Sequence, residues 1–505
     1  MQHINKMDAE TGSSLRKRRQ LSIDTTRSGA AASRGAPSPL SPSARLLHDL
    51  CVVVLFGSET PIDHAALRAG LTTTLLRHAS PLLQHPVTDG FDDGVPRWVR
   101  TTVNLDDHIV VPTSLDPGAV AANPDKVVED YVASLSTLPM DTARPLWDIH
   151  VLGFPTSEAA ATVAVRVHHS LGDGASLLSL LFASGRSAAN PETPPRMPAP
   201  GRRRSGPVYA RPRPPQSAGA PAFAMWVWSY VALAWNTAVD VLGFVATILF
   251  LRDPHTLFKP ADRGEARPGR RLVHRGLSLD DVKYIKNTLD CTVNDVMVGL
   301  TSAALSRYYF RKTGETKRNK YICVRSVIPV NLRSNPGIQT LTDMMDSSKE
   351  EGVEWGVRLG HMIIQFYIAL YDNPLEYIRR AKMTLDRKKC SLEVIFTRAV
   401  AEMMVKVFGE QVAGVVFGRL LNHTSLIFSN LMGPVEKIQL FGHPVVFIAS
   451  STVGTPEALT ATYQSYNNTV RVTLAVDDTL IPDSHLLLDD FYESLKAIRD
   501  AASKA

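Results

Sequence analysis

Val167-His168-His169-Ser170-Leu171-Gly172-Asp173-Gly174 is the stretch on which the reading of the whole chain turns. It concentrates residues that chemistry needs and that folding alone does not. Residues 161–167 (A-T-V-A-V-R-V) alternate in the period-two pattern of a strand with two different faces. Residues 175–181 are leucine-rich and free of turn residues, which predicts a helix start, so the motif sits in a strand-to-helix loop. Successive side chains on a strand point to opposite sides, so His168 and His169 are expected to face different surroundings, and one of them a cavity. Gly172 and Gly174 are expected to permit backbone angles or close approaches that other residues avoid, and Asp173 to fold back and hold the turn.

A histidine near its unperturbed pKa of about 6.5 can take a proton from a hydroxyl at neutral pH and return it later. The chain carries no G-x-S-x-G, no C-x-x-C, no Gly-rich phosphate loop ending in Lys-Ser/Thr and no H-E-x-x-H. Hydrolase, redox, nucleotide and zinc-protease readings therefore lack their signals. A base without a protein nucleophile points to direct transfer between two substrates. From these residues alone, a tightly packed loop or a chance metal-binding pair remain alternatives.

At 505 residues the chain is too long for one ordinary core, so two domains are the default. A composition of 44% hydrophobic and 21% charged residues is that of a globular protein. The net charge of +6 is modest and concentrated in the N-terminal tail and a linker, which argues against nucleic acid and for an anionic membrane surface. Cys51, Cys291, Cys323 and Cys390 are far apart and lack metal-ligand spacing, as expected of reduced thiols facing the cytosol. The N-terminus lacks the apolar core of a secretory signal, so export is not expected.

Residues 1–43 are polar, with an Arg-Lys-Arg-Arg run at 16–19, and read as a disordered tail. Residues 50–56 read as a strand, 62–77 as a helix with Asp63 near its start, and 96–100 as a strand. His108 reads as a surface or capping histidine. Pro145 stiffens the entry to a strand in which Trp147 is a core anchor. Residues 190–220 have the composition of a linker. They lead into residues 222–251, the most apolar stretch, with Trp226, Trp228, Tyr230 and Trp235 and Asp240 as its one ionisable residue. About 20 apolar residues can span a bilayer, but if the site uses both domains a single crossing would place its halves on opposite sides of the membrane. The expectation is a monotopic helix in the membrane interface, against the alternative of a helix packed over a domain seam.

Ser278 and Thr292 are N-cap candidates, the latter with Asp295 three residues on. Residues 360–371 and 391–421 read as core helices or as walls of a long channel. Residues 461–466 and 469–476 read as a hairpin turning on Asn467-Asn468, and 483–502 as a closing helix. No internal repeat is visible.

The order H-H-x-x-x-D-G resembles the active-site motif of CoA-dependent acyltransferases. The doubled histidine is similar to the wax ester synthase/diacylglycerol acyltransferase family, its plant branch in particular. Pro145-Leu146-Trp147, Thr292-Val293-Asn294-Asp295, Pro329-Val330-Asn331-Leu332-Arg333 and Ser429-Asn430-Leu431-Met432-Gly433-Pro434 resemble further family segments, in the family's order. The resemblance covers residue 44 to the end. It implies an α/β fold of two chloramphenicol-acetyltransferase-like mixed-sheet domains with a tunnel at their interface. Residues 44–189 would form the first domain and 272–505 the second, with 190–271 as a linker carrying the apolar helix 222–251.

The resemblance further implies transfer of a long-chain acyl group from acyl-CoA to a fatty alcohol or to diacylglycerol, with no metal and no cofactor beyond the co-substrate. His169 would be the general base, with His168 in support and Asp173 orienting the loop. Asn294 would face the catalytic histidine as an oxyanion or orienting donor, while Gly174, Asn430 and Gly433 would touch substrate. Arg333 or Arg325 would pair with Asp173 or support the tunnel. The implied partners are acyl-CoA, the lipid acceptor and a membrane or lipid-droplet surface, not nucleic acid. The implied location is the cytosolic side of the endoplasmic reticulum membrane or the plasma membrane. Another acceptor (a sterol, a glycerol derivative or an amine) or a non-catalytic lipid-surface protein on the same frame are the alternative functions.

Overall fold

The structure, a computed structural model, describes residues 38–47, 50–76, 80–88, 95–198, 219–259, 269–315, 321–333 and 357–504. The basic run at 16–19 and most of the Pro/Arg linker lie outside the described residues.

Two mixed sheets organise the chain. The first has the strand order Ile109–Val110, Trp147–Leu152, Ala161–His168, Cys51–Ser58, His443–Val453, Ile438–Leu440 and Arg186–Ser187. The second runs Leu359–Ile368, Ile322–Asn331, Leu426–Leu431, Leu459–Tyr466, Thr469–Asp477 and Arg270–Ser278. A division at residue 272 assigns His443–Val453 to the second half, but the structure places this strand beside Cys51–Ser58 in the first sheet. The Gly433-Pro434 turn is where the chain leaves the second sheet, and the two strands that follow complete the first core through Ile438 and Leu440 and through Val445 and Ile448. The two halves are thus tied by an exchanged strand as well as by a linker.

Period-two alternation sorts each strand of the second sheet. Leu426 and Phe428, Ile322 and Val324, and Ile364 and Phe366 join the main core under the helices Val293–Thr313, Leu375–Lys389 and Ser484–Ala502. The intervening residues Ile427, Val327 and Ile363 face the other way, toward the helices Ala220–Leu249 and Glu393–His423. Residues 359–368, open to a helical reading in the sequence, are therefore a strand. A capping box at Thr292 and Asp295 starts the helix Val293–Thr313. Asn467 and Asn468, at φ 43° and 60°, supply the left-handed turn of the last hairpin.

Three local expectations are corrected. Residues 38–43, read as tail, hold a short strand and a helix start, because Ser41 caps a turn with Pro42 at its first position and Leu40 is buried. His108 is not at the surface: it is buried, stacked on Trp147 at 4.1 Å, and its Nδ1 bonds the Trp147 carbonyl at 2.6 Å. Neither Gly172 nor Gly174 has a left-handed backbone, so the turn does not need glycine for its φ values.

Candidate active site

His168 is the last residue of the strand Ala161–His168, and the chain turns immediately after it. The turn is pinned from both sides: the His168 N–H donates to the Leu146 carbonyl at 2.9 Å and the His169 N–H to that of Leu50 at 2.8 Å. The two imidazoles then diverge into different cavities. His169 is buried and enters a mainly apolar cavity at the meeting of the two halves, lined by Leu47, Phe244, Val327, Leu359 and Phe417. His168 is half-buried and opens on a wider, more polar cavity with Arg45, His85, Ser170 and Arg270. Thr455 lines both, so the cavities adjoin. Their empty spaces, open mouths included, are about 1090 and 2460 Å³.

Burial pushes the His169 pKa below the ordinary histidine value, because the charged form is poorly solvated there. The carbonyls of His169 and Gly172 and the Asp173 carboxylate pull partly the other way. At neutral pH the ring is therefore uncharged and can accept a proton. The His168 Nδ1 accepts from the Ser170 N–H at 3.2 Å and contacts the Ser170 hydroxyl at 2.7 Å, so this ring is tied to its own turn.

Asp173 is fully buried and joins the two halves. Its Oδ1 caps the helix Gly174–Ser184 by accepting from the Ser176 N–H at 2.9 Å. Its Oδ2 accepts from Arg333 Nη1 at 2.7 Å and from the Arg358 N–H at 3.0 Å. The Arg333 Nη2 also donates to the Ser176 hydroxyl at 2.7 Å. The choice left open by the sequence falls on Arg333. Arg325 instead pairs with Asp253 at 2.6 Å and donates to Thr247 on the long apolar helix at 2.6 Å.

Asn294 is elsewhere. It is exposed at the first turn of its helix, and its Oδ1 accepts from Asn430 Nδ2 at 2.6 Å. Asn430 shares strand parity with Leu426 and Phe428, which face the helical core, whereas the cavity is reached by Ile427. Neither asparagine lines the cavity of His169. Gly433 has a packing role: a Cβ there would lie 2.3 Å from the Ser465 carbonyl oxygen. Gly174 has space, its nearest neighbour being Leu431 at 3.8 Å.

The sequence reading missed His361. It sits on the strand Leu359–Ile368, with the parity of Leu359 and Ile363, and lines the same cavity as His169. A histidine breaking an apolar alternation was its one signal. Burial, with His169 nearby, pushes its pKa down to about 4. Among the described residues no group of three or more His, Cys, Asp or Glu is placed to hold a metal ion.

Two paired mixed sheets with a buried histidine turn opening on a cavity between them are the arrangement expected of the chloramphenicol-acetyltransferase-like fold, with an uncharged base at the cavity. The comparisons with known proteins make this specific. The wax ester synthase/diacylglycerol acyltransferase catalytic domain matches residues 41–297, and the WS/DGAT C-terminal domain matches 355–499. The chain is 40% identical to wax ester synthase/diacylglycerol acyltransferase 5 of Arabidopsis thaliana, covering 91% of this chain and 93% of that one. It is also 40% identical to number 6 of the same series, over 92% and 94%. Among solved structures it resembles the wax ester synthase/diacylglycerol acyltransferase from Marinobacter aquaeolei VT8. The TM-score is 0.56 at 17% identity, covering 92% of this chain and all of that one. The first condensation domain of the CDA synthetase shares the fold, with a TM-score of 0.52 at 13% identity over 93% and 97%. The chain belongs to the wax ester synthase/diacylglycerol acyltransferase family.

Proposed function

We propose that this enzyme moves a long-chain acyl group from acyl-CoA to the hydroxyl of a fatty alcohol or of diacylglycerol, with His169 as general base. The observation that carries the reading is a buried, uncharged imidazole opening on an apolar cavity beside a wider polar one. The polar cavity suits the CoA moiety, and the apolar one the hydrocarbon chains. His169 takes the hydroxyl proton as the oxygen attacks the thioester carbonyl. The tetrahedral intermediate then collapses, the C–S bond breaks, and the imidazolium returns its proton to the CoA thiolate. The products are an ester and free CoA, and no further cofactor is needed. The test is purified protein with labelled palmitoyl-CoA, offered hexadecanol and diacylglycerol in parallel. Label in wax ester or triacylglycerol is the expected result, and no ester from folded protein with either acceptor would overturn the reading.

The same reading places the enzyme on a lipid surface. Along the helix Ala220–Leu249, Trp228, Trp235 and Leu242 are 70%, 70% and 68% exposed, at helical spacing on one side. The opposite side is stitched to the second half through Thr237 to the Leu392 N–H, Asp240 to Arg387, and Thr247 to Arg325. These ties run along three turns of the C-terminal part of the helix, where Asp240, Phe244 and Thr247 are its buried residues, and a helix anchored along its side in this way supports an interfacial helix rather than a span. Exposed Met403, Val407, Phe408, Val412 and Val415 of the helix Glu393–His423 add to the apolar surface. A Trp228→Glu/Trp235→Glu variant is expected to lose roughly 10- to 100-fold in vesicle partitioning while keeping turnover of detergent-dispersed substrate. Unchanged flotation with vesicles would reject this surface. Four free cysteines suit the cytosolic face of the endoplasmic reticulum or plasma membrane, which imaging of a tagged full-length chain would test.

A further inference from the structure

The cavity of His169 contains a second imidazole for which the reaction as drawn has no task. His361 is held by its backbone alone: its N–H donates to Thr397 Oγ1 at 2.9 Å, and that hydroxyl donates back to the His361 carbonyl at 2.8 Å. The ring packs against Phe417, with centroids 5.3 Å apart. Among the described residues no group hydrogen-bonds the ring nitrogens, although the ring lies half-buried in a wall whose other side chains, Thr397 apart, are the apolar Val327, Leu359, Phe417 and Ile427. Such a polar group costs free energy unless something satisfies it, and a leucine would fill the place without that cost. An imidazole in this wall is accounted for by a ligand that uses it.

We propose that His361 is a hydrogen-bond donor to an ester carbonyl of a glycerolipid acceptor, and so favours diacylglycerol over a linear alcohol. The inference rests on the acyltransferase reading above. A fatty alcohol has one polar atom, the hydroxyl that His169 engages, and its remainder is satisfied by the apolar wall. Diacylglycerol carries an ester on the carbon next to the one bearing its hydroxyl. It therefore brings a carbonyl into the apolar cavity a few bonds from the reacting oxygen, and that carbonyl needs a donor. His361 and His169 line one cavity, which matches a ligand with two polar groups close together. The low pKa keeps the His361 ring uncharged at neutral pH, so it offers one N–H suited to a carbonyl rather than a cation suited to phosphate. Its position on the side of Phe244 and Phe417, away from the polar cavity, favours the acceptor over the CoA moiety.

The experiment measures kcat and KM of wild type, His361→Leu and His361→Gln with palmitoyl-CoA and each acceptor. For His361→Leu, kcat/KM for diacylglycerol is expected to fall about 2- to 13-fold, mostly through KM, with hexadecanol changed less than about twofold. His361→Gln, which keeps an N–H, is expected to recover part of the loss. A thermal midpoint close to that of wild type shows that each variant is folded. An equal loss with both acceptors would assign His361 to the thioester oxygen or to packing and overturn the proposal, as would an unchanged ratio. Wild type that esterifies hexadecanol but never diacylglycerol overturns it too, leaving the parent reading intact. Wild type that forms no ester at all overturns both.

Discussion

His169→Ala is expected to lower ester formation by roughly 10²- to 10⁴-fold, with the thermal midpoint of the protein little changed. The ring is buried at the end of its strand, and its position comes from backbone bonds that alanine keeps, the His169 N–H to the Leu50 carbonyl among them. Removal of the side chain therefore takes away the base and leaves the turn. His168→Ala is the control. That ring bonds within its own turn, to Ser170, and faces the polar cavity, so its loss is expected to cost less than about tenfold. A His168 variant as inactive as the His169 variant would mean that the polar cavity holds the reacting atoms.

The pH dependence follows with a definite sign. Burial lowers the His169 pKa, so the competent neutral form dominates above a value below the ordinary 6.5. In the free enzyme, kcat/KM is expected to rise with pH through that lowered pKa and to be flat across neutrality. Stability moves in the same direction. His169 and His361 bind protons more weakly folded than unfolded, so stability is lost as pH falls below about 6.5 toward their folded values. Rates at acid pH therefore need a parallel folding measurement. A profile that rises only above pH 7 would contradict a desolvated base.

Much of the frame was legible because it rests on local rules. Strand alternation before His168, the cap at Thr292 and the Asn467-Asn468 turn each depend on neighbours in sequence, and each appears where those rules put it. What was not legible depends on contacts made across the chain. Val445 and Ile448 read as any strand would, and only pairing shows that they complete the first sheet. Asn294 matched a family segment, but whether its side chain reaches a cavity depends on which face of the second sheet its helix covers. His361 was lost for the opposite reason. One histidine in an apolar run carries no spacing signal until folding brings it to the cavity of His169. His108 was misplaced because its partner, Trp147, lies 39 residues away.

Breaking the contact between Asp173 and Arg333 is expected to have the largest effect on stability. Both side chains are almost wholly buried, at 0% and 6% exposure, and they come from opposite halves of the molecule. Asp173→Ala leaves the Arg333 guanidinium, the Arg358 N–H and the Ser176 N–H without their shared acceptor. Removal of one partner of a buried pair costs about 3–5 kcal/mol, a large share of the ~5–15 kcal/mol that holds a typical domain together. Arg333→Leu strands the carboxylate instead and is expected to cost a similar amount. Arg333→Lys keeps the charge, but a single ammonium cannot reproduce the fork that reaches both Asp173 and the Ser176 hydroxyl. Its loss of stability should be intermediate. The double variant Asp173→Asn/Arg333→Met removes both charges and retains an acceptor for the Ser176 N–H, so it is expected to recover much of the stability. Turnover is not expected to return with it. The loop that carries His169 would be capped within its own half but no longer held from the other, and reaction rates fall when a base moves by as little as an ångström. Urea titrations of the four variants, with turnover measured on each, separate the two roles. A cost below ~1 kcal/mol for Asp173→Ala would show that the ion pair does not close the halves around the cavity.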